Sequence, residues 1–215
     1  MLRRDLPSPT GLLRLRQLAM LRGGDAVRWA ERWARDLASV GPASRPARGF
    51  AAFGDHSVIC WPWDSLVNPQ GIRIGSSTIV APHAVLSTGW EQDQPGLADD
   101  VLVIGDRCLI GRGSSIVAHE SVRIGDDVWT GHHVHITDMN HGHDDPSVPI
   151  SQQFETPAPV RIGDGSWLGH GVVVLPGVSI GRHVVVGAGS VVTRDLPDHS
   201  VCVGSPARPV ERRAD

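Results

Sequence analysis

The sequence predicts an all-β solenoid, a parallel β-helix, on three observations. The first is a strict period of six. Residues 162–195 read IGDGSWLGHGVVVLPGVSIGRHVVVGAGSVVTRD, with aliphatics at Ile162, Leu168, Val174, Ile180, Val186 and Val192. Gly follows four of these, at Gly163, Gly169, Gly181 and Gly187, and Ser166, Val172, Val178, Val184 and Ser190 stand four places on. A helix repeats near 3.6 and a plain strand at 2, so sixes suit neither alone. Six residues fit one short strand plus a tight corner, with the aliphatic inward and Gly or a small residue at the corner. Three such units close a triangular coil, and stacked coils share one core. The second observation is composition: 25 Gly and 16 Pro in 215 residues suit a chain rich in corners. The third is that polar insertions break the repeats, which a stack of coils touching only their neighbours tolerates.

The N-terminal 50 residues lie outside the repeats. Residues 1–22 carry five Arg among leucines and predict a short helix or loose arm with a solvated basic face. Gly23-Gly24 predicts a break. Asp25 can then cap a helix over AVRWAERWARDLASV, which ends at Gly41-Pro42. Val27, Ala30, Trp33, Ala34 and Leu37 fall at helical spacing, a stripe expected to pack on the solenoid or a neighbouring subunit. Residues 41–49 read as a linker. The expected division is therefore 1–50 arm and helix, 51–210 β-helix, and 211–215 tail.

The solenoid is expected to begin near Phe53 with an irregular coil, its apolar end covered by Trp61, Pro62 and Trp63. Clear repeats follow at Ile74, Val80 and Leu86. The polar insertion GWEQDQPGLADDV breaks the phase, which resumes at Ile104, Ile110 and Ile116. A slip of two residues leads to Ile124, Thr130 and Ile136. The segment 142–160 is long, polar and Pro-rich, without apolar periodicity, so it is expected as a loop inserted between coils. Loops of this length in compact folds are usually functional.

Charge and cysteines exclude some classes. Net charge is -3 and all 20 basic residues are Arg, so nothing drives the chain toward nucleic acid. Cys60, Cys108 and Cys202 are odd in number and share no motif spacing, which points to free thiols in a reducing compartment. Arg14, Arg16 and Arg22 interrupt the apolar residues near the start, so neither a signal core nor a membrane span is expected. A cytoplasmic protein is the expectation.

Residues 136–150 read ITDMNHGHDDPSVPI. With the sixes, this stretch resembles the hexapeptide-repeat acyltransferase superfamily, and within it the saccharide, galactoside and maltose O-acetyltransferases. Those relatives carry I-T-D-H-x-H-x-x-x-D-P-x-x-P-I. Ile136, Thr137, Asp138, His141, Asp145, Pro146, Pro149 and Ile150 match, while Met139 stands where relatives often have a first His. The family's catalytic His falls on His141, and the family spacing of seventeen positions past the Ile of an I-G-D repeat, from Ile124, reaches His141 again. The resemblance covers about Ile72 to Val210 and implies a left-handed β-helix.

It also implies acetyl transfer from a thioester to a sugar hydroxyl, with His141 as general base. Neutral imidazole suits that task at pH 7, and such help is worth on the order of 10²–10⁴ in rate. The second ring nitrogen needs an acceptor to fix its tautomer. Asp138 is the candidate by proximity, and a backbone carbonyl would serve equally. Acetyl-CoA, by the same resemblance, lies along the C-terminal coils between subunits of a homotrimer. The matching residues are Gly169, His170, Ala188, Gly189, Thr193 and Arg194, with Arg208 in the G-x-P-A segment of Gly204, Pro206 and Ala207 a second phosphate partner. Arg212 and Arg213 read as solvated. No metal is expected, and His132, His133, His135 and His143 read as surface histidines. Two other classes stand against this reading: a γ-carbonic-anhydrase-like zinc enzyme, whose histidine spacing is not met here, and a non-catalytic scaffold.

Overall fold

The computed structural model describes residues 9–212, and side chains from residue 23 onward. The start of the Arg-rich arm and the end of the tail lie outside the described residues. The chain divides into two compact units, Met1–Ala38 and Ser39–Asp215.

The first unit is one helix, Pro9–Ala38. The break expected at Gly23-Gly24 does not occur. Two glycines cost roughly 1 kcal/mol each against Ala in a helix interior, and flanking Leu, Ala and Arg residues are good helix formers. Asp25, expected as a cap, instead sits inside the helix and pairs with Arg28 one turn on. Val27, Trp33 and Leu37 of the expected packing stripe are exposed. Trp29 and Trp33 stack with ring centroids 6.3 Å apart.

The second unit is built from short strands that fall into three sheets in rotation. Ile72–Ile74 lies in the first sheet, Ile79–Val80 in the second and Val85–Thr88 in the third. Leu102–Ile104 then returns to the first sheet and pairs parallel with Ile72–Ile74. The sheets hold six, eight and six strands, and each links successive circuits of the chain. The predicted inward positions are the core: Ile74, Val80, Leu86, Ile104, Ile110, Ile116, Ile124, Ile136, Leu168, Val174, Val186 and Val192 are all at most 2% exposed. Thr130 takes one such position, and its Oγ1 accepts the Gly111 N–H at 2.8 Å, so the buried hydroxyl is satisfied.

A ladder along one edge explains why Asp follows Ile-Gly. Asp106 Oδ1 accepts the Ser76 N–H at 2.7 Å, Asp126 Oδ1 that of Asp106 at 2.8 Å, and Asp164 Oδ1 that of Asp126 at 3.0 Å. Each carboxylate crosses the glycine of the neighbouring circuit. A Cβ on Gly125 would stand 2.1 Å from Asp164 Oδ1, so a side chain there would displace the ladder.

The coil around Phe53 is more regular than expected. Ala52–Phe53, Val58–Ile59 and Ser65–Val67 each pair parallel with the next circuit. Residues 39–50, placed with the N-terminal segment on sequence grounds, group with the strands, because Val40 exchanges both backbone bonds with Ile59 at 2.9 Å. Trp63 packs against the core, whereas Trp61 is 39% exposed. At the far end Ser200–Gly204 turns back on Ala207–Arg212 as an antiparallel pair, so Glu211 and Arg212 are strand rather than tail.

Candidate active site

Both insertions lie against the third sheet. The first holds Trp90. Asn68, 4% exposed, donates to Thr88 O at 2.6 Å and Glu91 O at 2.8 Å and so fixes the start of that insertion. The second follows His135–Thr137 and contains no strand before Val160–Ile162, only a 3-10 turn at Ile150–Gln152 and a bridge between His141 and Phe154. Gln153 ties it together: its amide donates to Asp145 O at 2.8 Å and Val148 O at 2.7 Å, and its Oε1 accepts the Asp145 N–H at 3.1 Å.

Between the insertions opens a cleft of about 350 Å³, lined by Trp90, His119, His135, Met139, His141 and Phe154 among others. The expected base His141 is exposed on its wall, with its ring 6.0 Å from that of Phe154. Among the described residues no side-chain hydrogen bond holds the imidazole. Met139, at the motif's departure, contributes apolar wall.

Asp138 is fully buried and does not engage His141. Its carboxylate accepts the N–H groups of His119, Glu120 and Ser121 at 2.8–3.0 Å, and the His119 Nδ1 lies 3.3 Å from Oδ1. Burial alone would raise its pKa. The His119 ring and the three backbone donors outweigh burial and hold the carboxyl below its ordinary value. The expectation that Asp138 orients His141 is therefore corrected: in this structure it orients His119. The reason is geometric, since the turn at 119–121 packs directly over Asp138 and supplies every donor it needs. Burial pushes His135 below its ordinary pKa, so this cleft residue is neutral at pH 7.

The candidate donor residues lie elsewhere, on more than one corner. Gly169, His170, Ala188 and Gly189 stack at one corner, where Gly189 N–H donates to His170 O at 2.8 Å. A Cβ on Gly169 would lie 2.6 Å from Ala188 N, so circuits approach here as closely as backbone allows. The rings of His132, His133 and His170 cluster beside it, 5.5–6.5 Å apart. Thr193 and Arg194 are exposed on a later corner, and half-buried Arg208 bonds Ala207 O at 2.7 Å. This corner precedes the third sheet, whereas His141 follows it, and none of the donor candidates lines the cleft. Among the described residues no three His, Cys, Asp or Glu side chains converge on a point that could hold a metal.

Sequence reading missed Trp90, His119 and Phe154. A signal existed for His119: counted across the two-residue slip, it is the residue just after Ala118, which lies one full circuit before Asp138.

Three sheets visited in rotation, with strands paired parallel from circuit to circuit, are the architecture expected of hexapeptide repeats. Two family profiles match: the bacterial transferase hexapeptide (six repeats) over residues 159–194, and the hexapeptide repeat of succinyl-transferase over 101–129. "Probable acetyltransferase Rv3034c" of Mycobacterium tuberculosis is 40% identical over 112 residues, which are 52% of this chain and 37% of that protein. The "Putative lipopolysaccharide biosynthesis O-acetyl transferase WbbJ" of Escherichia coli is 39% identical over 119 residues, 52% of this chain and 61% of its own. The chain thus spans less than two thirds of these curated relatives. Among solved structures, AntD, an N-acyltransferase from Bacillus cereus, superposes with a TM-score of 0.68 at 21% identity, over 83% of this chain and 91% of that one; this is a likeness of fold. The chain thus carries hexapeptide repeats of the transferase type over these two stretches and is similar to the acetyltransferases named above.

Proposed function

We propose that this protein is an acetyl-CoA-dependent O-acetyltransferase that acts on a hydroxyl of a saccharide or glycan precursor. The observation that carries the reading is His141, an exposed imidazole on the wall of an aromatic-lined cleft, at the motif position where relatives of this superfamily carry their base. His141 takes the hydroxyl proton as oxygen attacks the thioester carbonyl. The C–S bond then breaks, and the CoA thiolate leaves with a proton. No nucleophilic Ser or Cys is needed, so transfer is direct.

The donor lies along Gly169, His170, Ala188 and Gly189, with Thr193, Arg194 and Arg208 toward its phosphates. On one protomer the Gly169 corner precedes the third sheet, whereas the cleft, like Thr193 and Arg194, follows it, which supports an assembly in which neighbouring subunits bring the two together. The exposed, in-register pair Trp129 and Trp167 on the second sheet supports the same conclusion: it offers apolar surface for a homotrimer. The relatives' names support acetyl transfer and, for WbbJ, oxygen as the acceptor atom. The left hand of the helix and a cytoplasmic location complete the reading. No helix among the described residues is long and apolar enough to cross a membrane.

Calorimetric titration of the purified, chelator-treated protein with acetyl-CoA tests this. Saturable binding near one per subunit is the expected result. Absence of binding at millimolar ligand overturns it and turns attention to zinc-dependent hydration on the same fold.

A further inference from the structure

The cleft holds more than its proposed base. Trp90 and Phe154, 50% and 65% exposed, come from different insertions and face each other edge-on with centroids 6.5 Å apart. Their ring neighbours are histidines. The His119 ring lies 4.7 Å from Trp90, and the His141 ring 6.0 Å from Phe154. The aromatic pair thus has an imidazole at either end.

These imidazoles are not equivalent. His119 is 16% exposed at its side chain, and its Nδ1 lies 3.3 Å from the buried Asp138 carboxylate. An ionised carboxylate can only accept, so Nδ1 carries the proton toward Asp138, and Nε2 is the ring nitrogen left for another partner. His119 is held in place by Asp138, whereas among the described residues no side-chain hydrogen bond holds His141. Exposed aromatic faces beside polar tips suit a ring with C–H groups on its faces and hydroxyls on its rim.

We propose that Trp90, Phe154 and His119 form the acceptor subsite for a carbohydrate ring. The ring lies against the two aromatic side chains, one hydroxyl hydrogen-bonds to His119 Nε2, and another is presented to His141. This inference rests on the transferase reading and adds to it the residues that choose the acceptor. His119 is a specificity-determining residue here, and Asp138 positions it.

The test uses the full-length protein and four probes: methyl α-glucoside, methyl β-galactoside, N-acetylglucosamine and maltose. Binding is followed by saturation-transfer NMR with acetyl-CoA present, alongside acetyl-CoA affinity in each variant. At least one sugar is expected to saturate the wild type. Trp90→Ala and His119→Gln should each weaken it at least ~10-fold and leave acetyl-CoA affinity within about twofold. In turnover with that sugar, His119→Gln should raise acceptor KM with kcat nearly unchanged. Equal sugar affinity in both variants overturns the subsite, and so does loss of kcat at constant KM in His119→Gln. Acetyl-CoA binding without any sugar binding overturns the subsite alone and leaves the transferase reading standing. Binding of neither overturns both.

Discussion

The Asp138 carboxylate and the His119 backbone are joined at 2.8 Å, and the same carboxylate holds the next two N–H groups and the imidazole of His119. One buried acid thereby fixes a whole turn on the preceding circuit. Asp138→Asn keeps the shape but turns one oxygen into a donor facing donors. The expected loss of folding stability is about 1–3 kcal/mol at pH 7, read from denaturant unfolding. Because its folded pKa is lowered, the stabilisation from Asp138 is present above the unfolded carboxyl range near 4 and lost as pH falls through the folded value. The gap between wild type and variant should therefore narrow below about pH 4.

His141→Ala is expected to lower turnover at least ~100-fold with donor affinity nearly unchanged. The imidazole makes no side-chain hydrogen bond among the described residues, so the melting temperature should stay close to that of wild type. Near-normal turnover in this variant would remove His141 as the base.

Ile136 sits between Ile116 and Val174 in one stacked column of the third sheet and is fully buried. Ile136→Ala should cost roughly 2–5 kcal/mol, the range for large-to-small core changes. Gly125→Ala adds a methyl where Asp164 Oδ1 already lies 2.1 Å away. It should destabilise too, and Asp164→Ala in the same chain should recover part of the loss. Additive effects in that double mutant would show that the carboxylate ladder does not constrain Gly125.

Cys108 is 2% exposed, and burial lifts its thiol to a pKa of about 11. The thiolate is the reactive form, so Cys108 should resist iodoacetamide in the native protein at pH 8 and react on unfolding. Cys60 is only half-buried, with its pKa raised by the same cause, and should label sooner than Cys108. Mass spectrometry of the labelled peptides decides between them.

The inward positions were legible because period, strand and corner are local properties. A six-residue unit can bury one aliphatic only by turning after it, so Ile104, Ile110 and Ile116 announce themselves. His141 was legible as a motif at the entrance of an insertion. The helix was only half legible. Gly23-Gly24 looked like a stop, yet their cost is small against the helix-forming residues on either side.

The sequence by itself determined the repeat, the strand positions, the core and the place of the two insertions, all of which follow from spacing along the chain. Only the tertiary structure decided which insertions meet, and so brought Trp90, His119 and Phe154 to the cleft of His141. It also gave Asp138 to His119 rather than to His141. The physical reason is that stacking makes neighbours of residues a full circuit apart. Insertions of unequal length set how long each circuit is, and no short-range pattern records which side chains then face one another.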